Sequence, residues 1–117
     1  MTNPSRLNVV EVGEVTVVHF NDRKILDANA IEELGGELFG LVEVENRKNL
    51  LLDFTGVEFL SSAALNKLII LDKKVKAVGG RLKLCTLRHE IAEIFALTRL
   101  DKLFDIRKDE TSALEAF

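Results

Sequence analysis

The stretch from Leu50 to Cys85 leaves the chain few ways to fold. Leu50 to Phe54 reads as a short apolar strand, Ser62 to Val78 as a helix, and Arg81 to Cys85 as a second strand, alternating Arg81, Leu82, Lys83, Leu84. Leu65, Leu68, Ile69, Asp72, Val75 and Val78 share one helical face, interrupted only at Asp72. Gly79 stands where a left-handed helix stop belongs. A strand, a helix and a strand in that order predict two parallel strands joined by a crossover.

The flanking segments extend that unit. Leu7 to Val12 and Val15 to Phe20 are rich in β-branched residues and are separated by Gly13-Glu14, which predicts a tight hairpin. A helix is expected up to about Glu45, capped by Asn29 in a capping box with Glu32 or by Asp27. Ile31, Leu34, Leu38 and Leu41 form its apolar face. Gly35, Gly36 and Gly40 each cost about 1 kcal/mol there relative to alanine, a cost that implies close packing. A helix from about Arg88 to Leu97 turns Ile91, Ile94 and Phe95 inward. A short last strand from Leu100 to Ile106 and a small terminal helix from Asp109 to Phe117 complete the order. Residues 1 to 6 are polar and expected to be loose. The pattern predicts the α/β class: one domain over residues 1–117, a mixed and mostly parallel sheet with an antiparallel first pair, and helices mainly on one face.

Bulk properties narrow the function. A chain of 117 residues favours a single hydrophobic core. Sixteen basic against 19 acidic residues, a net charge of −3, give no reason to expect nucleic acid or an anionic membrane as a partner. No apolar run approaches the roughly 20 residues that cross a bilayer, and no secretory signal opens the chain, so a cytoplasmic location is expected. The lone cysteine, Cys85, excludes an internal disulfide.

Chemistry-bearing residues are sparse. Ser61 and Ser62 stand at the mouth of the second helix, where free amide N–H groups and a partial positive charge gather. A hydroxyl there either caps the helix or carries a phosphate that the helix stabilises. Asp53 reads as a strand-ending carboxylate bonded to nearby backbone, and Asp22 as a surface residue. Cys85 and His89 lack a third orienting group, so Cys85 reads as a small buried thiol. His19, among valines, reads as a semi-buried side chain, and two histidines with one cysteine do not spell a zinc site. Gly79-Gly80 matches no phosphate-loop pattern. Lys73, Lys74 and Lys76 read as a solvated face. These residues predict no catalysis, no cofactor and no metal.

The segment LLLDFTGVEFLSSAALNKLIILDKKVKAVGGRLKLCTLRHEIAEIFALTRLDKLFDI resembles the STAS domain, the module of sulfate transporters and anti-sigma factor antagonists. The strand ending in Asp53, the serine-bearing turn, Gly79-Gly80 and the run Leu97 to Phe104 carry the resemblance. In that family the turn usually reads Asp-Ser-Ser/Thr-Gly-Leu-Gly, and the second hydroxyl is phosphorylated. With Leu65 on the motif leucine, Ser61 takes the aspartate position, Ser62 the first hydroxyl and Ala63 the usual acceptor position. Ala64 and Asn66 replace the glycines. His89 stands where proline is common, and Arg99 where glycine is common.

The resemblance implies an anti-sigma factor antagonist that binds an anti-sigma factor serine kinase and so releases a sigma factor. Ser62 and Ser61 are the phosphorylation candidates, although Ala63 occupies the acceptor position. The implied contact surface is Asp22, Asp27 and Asn29 in one loop, and Glu58, Phe59, Leu60, Ser61, Ser62, Ala63, Ala64 and Asn66 in the other. Such an antagonist should be a monomer or weak dimer that binds neither nucleic acid nor membrane. The alternative is a scaffold or sensor subunit of a larger STAS-containing signalling assembly.

Overall fold

The computed structural model describes residues 6–117, so all but the last residue of the segment expected to be loose lies outside the described residues. Strands β1 (Leu7–Val12) and β2 (Val15–Phe20) form the antiparallel hairpin around Gly13, whose φ is +61°. A two-residue strand β3 (Lys24–Ile25) leads into helix α1 (Ala28–Glu43). Strand β4 (Asn49–Asp53), a second two-residue strand β5 (Phe59–Leu60), helix α2 (Ser62–Ala77) and strand β6 (Arg81–Cys85) follow. Helix α3 (His89–Leu97), a single 3₁₀ turn (Leu100–Lys102), strand β7 (Asp105–Arg107) and helix α4 (Glu110–Glu115) complete the chain.

The main sheet runs β1-β2-β4-β6-β7, antiparallel only at the first pair. One face carries Val18, Leu50, Leu52, Leu82 and Leu84 into a large core with α1, α2 and α3. On this face Phe54, Phe95, Leu38, Leu71 and Ile91 are shut off from solvent. Each such side chain contributes on the order of 1.5–3 kcal/mol by leaving water. The alternate residues Val15, Val17, Leu51 and Cys85 point to the opposite face, where Ala113 and Leu114 of α4 and the terminal Phe117 cover them. The helices therefore lie mainly on one face, as expected, with α4 alone on the other.

Several details depart from the sequence reading. Helix α1 stops at Glu43: the Glu45 amide slips to the Gly40 carbonyl, five residues back, and Asn46 turns left-handed at φ +58°. Of its three glycines only Gly35 is closely packed: a Cβ there would press on Lys67 of α2, while Gly36 and Gly40 face open space. On α2 the buried stripe includes Leu71 and leaves Val78 exposed. Asp72 is buried within the stripe, 2.8 Å from Lys76 one turn later. The stretch Leu100 to Ile106 is not one strand. Arg99 adopts a left-handed φ of +61°, the 3₁₀ turn follows, and β7 begins only at Asp105. That backbone costs a residue with a side chain roughly 1–2 kcal/mol, which accounts for the glycine common at this place in the resembled family.

Gly79 ends α2 at φ +74°, the left-handed stop read from the sequence. Gly80 serves a different purpose. The Lys48 carbonyl, which accepts the Arg81 amide at 3.0 Å, lies so close that a Cβ on Gly80 would overlap it. Gly80→Ala should therefore lower the unfolding free energy by about 1–3 kcal/mol, read as a lower urea midpoint with an unchanged slope.

Candidate functional site

The two loops marked by sequence are joined by backbone. Strands β3 and β5 pair in parallel, Lys24 opposite Phe59 and Ile25 opposite Leu60. The Arg23 carbonyl accepts the amides of Glu58 (2.7 Å) and Phe59 (3.2 Å), and the Ile25 carbonyl accepts that of Ser61 (3.1 Å). Ile25 and Leu60 are buried and anchor this ladder in the core. Segments 21–30 and 57–66 thus form one continuous face at the mouth of α2. Two-residue strands have no periodicity of their own, so sequence reasoning saw a loop and a turn here.

Ser61 is the N-cap. Its backbone is extended (φ −81°, ψ 166°) and its Oγ accepts the Ala64 amide at 3.2 Å. Ser62 begins the helix and is exposed. Ala63 and Asn66 are also exposed, so the first turn of α2 presents a low, open surface. Ala64 is only 2 % exposed and Leu60 8 %. Both belong to the core beneath the face, where Ala64 cannot itself meet a partner.

The other marked residues divide. Asp27, rather than Asn29, caps α1: its carboxylate accepts the Ala30 amide at 2.9 Å, and Asn29 sits exposed in the first turn. Asp22 is half-buried and held by the Arg6 guanidinium at 3.2 Å, which pins it toward α1. Glu58 pairs with Arg23 at 2.5 Å and more loosely with Arg88 at 3.8 Å. The hydrogen bond from Arg23 holds the Glu58 carboxyl below its usual range. Phe59 is half exposed, with the Lys24 ammonium 5.5 Å from its ring centre, and Leu26 is exposed beside it. Leu26, Phe59, Arg88, Ile91 and Ile94 line a depression of about 350 Å³ next to the serine turn. Leu26 falls within the 21–30 loop that the sequence marks, whereas nothing in the sequence marks α3 as part of this face.

Asp53 is 4 % exposed, and its Oδ1 accepts the Thr55 amide (2.8 Å) and hydroxyl (2.6 Å). Burial pushes its pKa up, but the Thr55 hydrogen bonds and nearby His19 outweigh burial and hold the carboxyl below the usual carboxylate range. Cys85 is buried, and desolvation pushes its thiol up to about 11, so it is a poor nucleophile. His89 lies exposed near Glu93 and forms no pair with Cys85. As the first residue of α3, following a cap residue that makes no side-chain bond, it occupies the position proline favours in other helices.

Known proteins share this fold. The STAS domain profile matches residues 6–113. BtrV of Bordetella bronchiseptica, named as an anti-sigma factor antagonist, is 31% identical over 90 residues, covering 77% of this chain and 76% of its own. A STAS domain protein of Planctomyces limnophilus superposes with a TM-score of 0.85 at 22% identity, covering 97% of this chain and 98% of its own. The phosphorylated form of SpoIIAA from Bacillus superposes with a TM-score of 0.71 at 16% identity, covering 95% and 99%. No helix among the described residues is long and apolar enough to cross a membrane.

Proposed function

The chain belongs to the STAS domain family, and on that premise we propose that it is an anti-sigma factor antagonist: it docks on an anti-sigma factor serine kinase and so releases a sigma factor in the cytoplasm. The observation that carries this reading is the face at the mouth of α2, where the β3–β5 ladder aligns the two loops beside an open first helical turn. Exposed Ala63 lets a partner backbone approach closely, while half-exposed Phe59 and exposed Leu26 supply apolar area beside it. Apolar anchors within a polar rim are what a specific interface needs.

Regulation then falls to Ser62. Ser61 is occupied as the cap, and Ala63 has no hydroxyl. A phosphate on Ser62 would add roughly −1.5 to −2 charge at a helix N-terminus, which stabilises it in the free protein. The same charge would repel an acidic or apolar partner surface and break the complex. SpoIIAA provides a relative in fold whose phosphorylated form exists.

A pull-down from the native cytoplasm tests the function and should recover an anti-sigma factor kinase. Incubating that kinase and ATP with this protein should add one phosphate by intact mass, absent in Ser62→Ala. Recovery of no such kinase overturns the antagonist reading. An unchanged mass overturns only the switch at Ser62 and leaves constitutive binding.

A further inference from the structure

On the α4 face of the sheet, three side chains from distant parts of the chain meet at one point. His19 and Asp53 are cross-strand partners in β2 and β4, and Glu110 reaches them from the first turn of α4. The His19 Nε2 lies 3.3 Å from Asp53 Oδ2 and 3.1 Å from Glu110 Oε1, and the three donor atoms fall within 4.8 Å of one another. We propose that His19, Asp53 and Glu110 form a binding site for a divalent metal ion of zinc type, ligated by one nitrogen and two oxygens.

Four features support this assignment. The first is spacing. Donors bound to one tetrahedral zinc at about 2.0–2.1 Å lie roughly 3.3–3.4 Å apart, close to the separations from His19 to each carboxylate, while the two carboxylates, within 4.8 Å of each other, would draw together on the ion. The second is charge. Two carboxylates converge on a single ring nitrogen, and among the described residues the ion pairs of both are with His19 alone. Lys83, on the same face of the sheet, is engaged elsewhere: its Nζ is 2.6 Å from Asp105 and 5.1 Å from the Phe117 ring centre. One imidazole N–H can serve two carboxylates only as a shared bond, whereas one cation satisfies all three donors.

The third feature is rigidity. The Asp53 side chain is only 6 % exposed, and its Oδ1 is fixed by Thr55, which leaves Oδ2 directed at His19. The fourth is access. The His19 and Glu110 side chains are 34 % and 39 % exposed, so an ion and a completing water can enter from solvent. An imidazole in the set favours zinc, nickel or copper over magnesium or calcium. The bound ion would tie α4 to the sheet. Through Asp53 it would also brace the start of the loop that leads to Ser61.

The test uses the tag-free full chain, freed of metal by a chelator and titrated with zinc chloride alone in a calorimeter. One saturable equivalent is expected. Glu110→Gln should weaken binding at least tenfold and His19→Ala should abolish it, while His89→Ala, on the exposed surface, should leave it unchanged. Magnesium should give no saturable heat. On the unmodified protein, zinc should move the Nε2 nitrogen resonance of His19 to a metal-bound position, a readout that does not depend on a variant folding. No saturable binding, binding that survives His19→Ala, or an Nε2 resonance that responds to pH but not to zinc would each overturn the site. The last of these would identify the trio as a protonated histidine clasp.

Discussion

Phe54→Ala should lower the unfolding free energy by about 3–5 kcal/mol, the largest effect on stability expected of any change near the docking face. Phe54 is fully buried and follows directly on the last residue of β4. Its ring centre lies 4.8 Å from that of Phe20, which couples the loop to the neighbouring strand. The Phe54 amide donates to the Cys85 carbonyl at 3.0 Å, and its own carbonyl accepts the Val57 amide at 3.0 Å, so the backbone there cannot collapse freely into the space a smaller residue leaves. The cavity term should therefore be near its full size. Urea denaturation followed by circular dichroism should show it, with a fall in melting temperature of roughly 10 °C or more. A loss below about 1 kcal/mol would mean that the loop repacks, and that its geometry is softer than described.

Ala63→Glu should weaken binding to the anti-sigma factor by a factor of about 30 or more while leaving the fold intact. The two halves of this expectation have separate causes. Ala63 is exposed in the first turn of α2, so a longer side chain meets no neighbour, and a carboxylate near a helix N-terminus is mildly favourable to the free protein. In the complex the same carboxylate is desolvated without a partner, a penalty of order 2–5 kcal/mol. Calorimetric titration against the purified partner, with melting curves of both proteins, reads the two halves independently. Undiminished affinity with an unchanged melting temperature would remove the mouth of α2 from the interface. Ala64→Glu would not be informative in the same way, because Ala64 lies in the core and its substitution would perturb folding first.

How much of this was legible in the sequence depends on whether the signal was local. The span of α2 could be read almost to the residue, because Ser61 at its cap and Gly79 at its stop are local instructions. Strand β6 was read at both ends, between Gly80 and Thr86. The end of α1 lies two residues earlier than the sequence suggests, since nothing in Val44 or Glu45 forbids a helix, and the turn there comes from the Glu45 amide reaching back to Gly40 and from left-handed Asn46. Strands β3 and β5 were invisible because each exists only through the other. The same holds for His19, Asp53 and Glu110. His19 and Glu110 are 91 residues apart, and only the stacking of α4 on the second face of the sheet brings them together. Burial of Ala64 beside exposed Ala63 is likewise a matter of how α2 lies on the core; Leu65, Leu68, Asp72 and Val75 are buried as the spacing predicts, whereas Leu71 joins them and Val78, past the end of the helix, does not.

The rungs between β3 and β5 are peptide groups, and the Arg23 and Ile25 carbonyls would hold segment 57–61 in place whatever side chains pointed outward. A scaffold of that kind separates alignment from identity. Outward positions such as Leu26, Phe59 and Asn66 are then free to diverge between duplicated copies of such a protein, each copy acquiring its own cognate without having to reinvent the frame. Crosstalk among parallel signalling circuits would be avoided by repainting a surface rather than by rebuilding it.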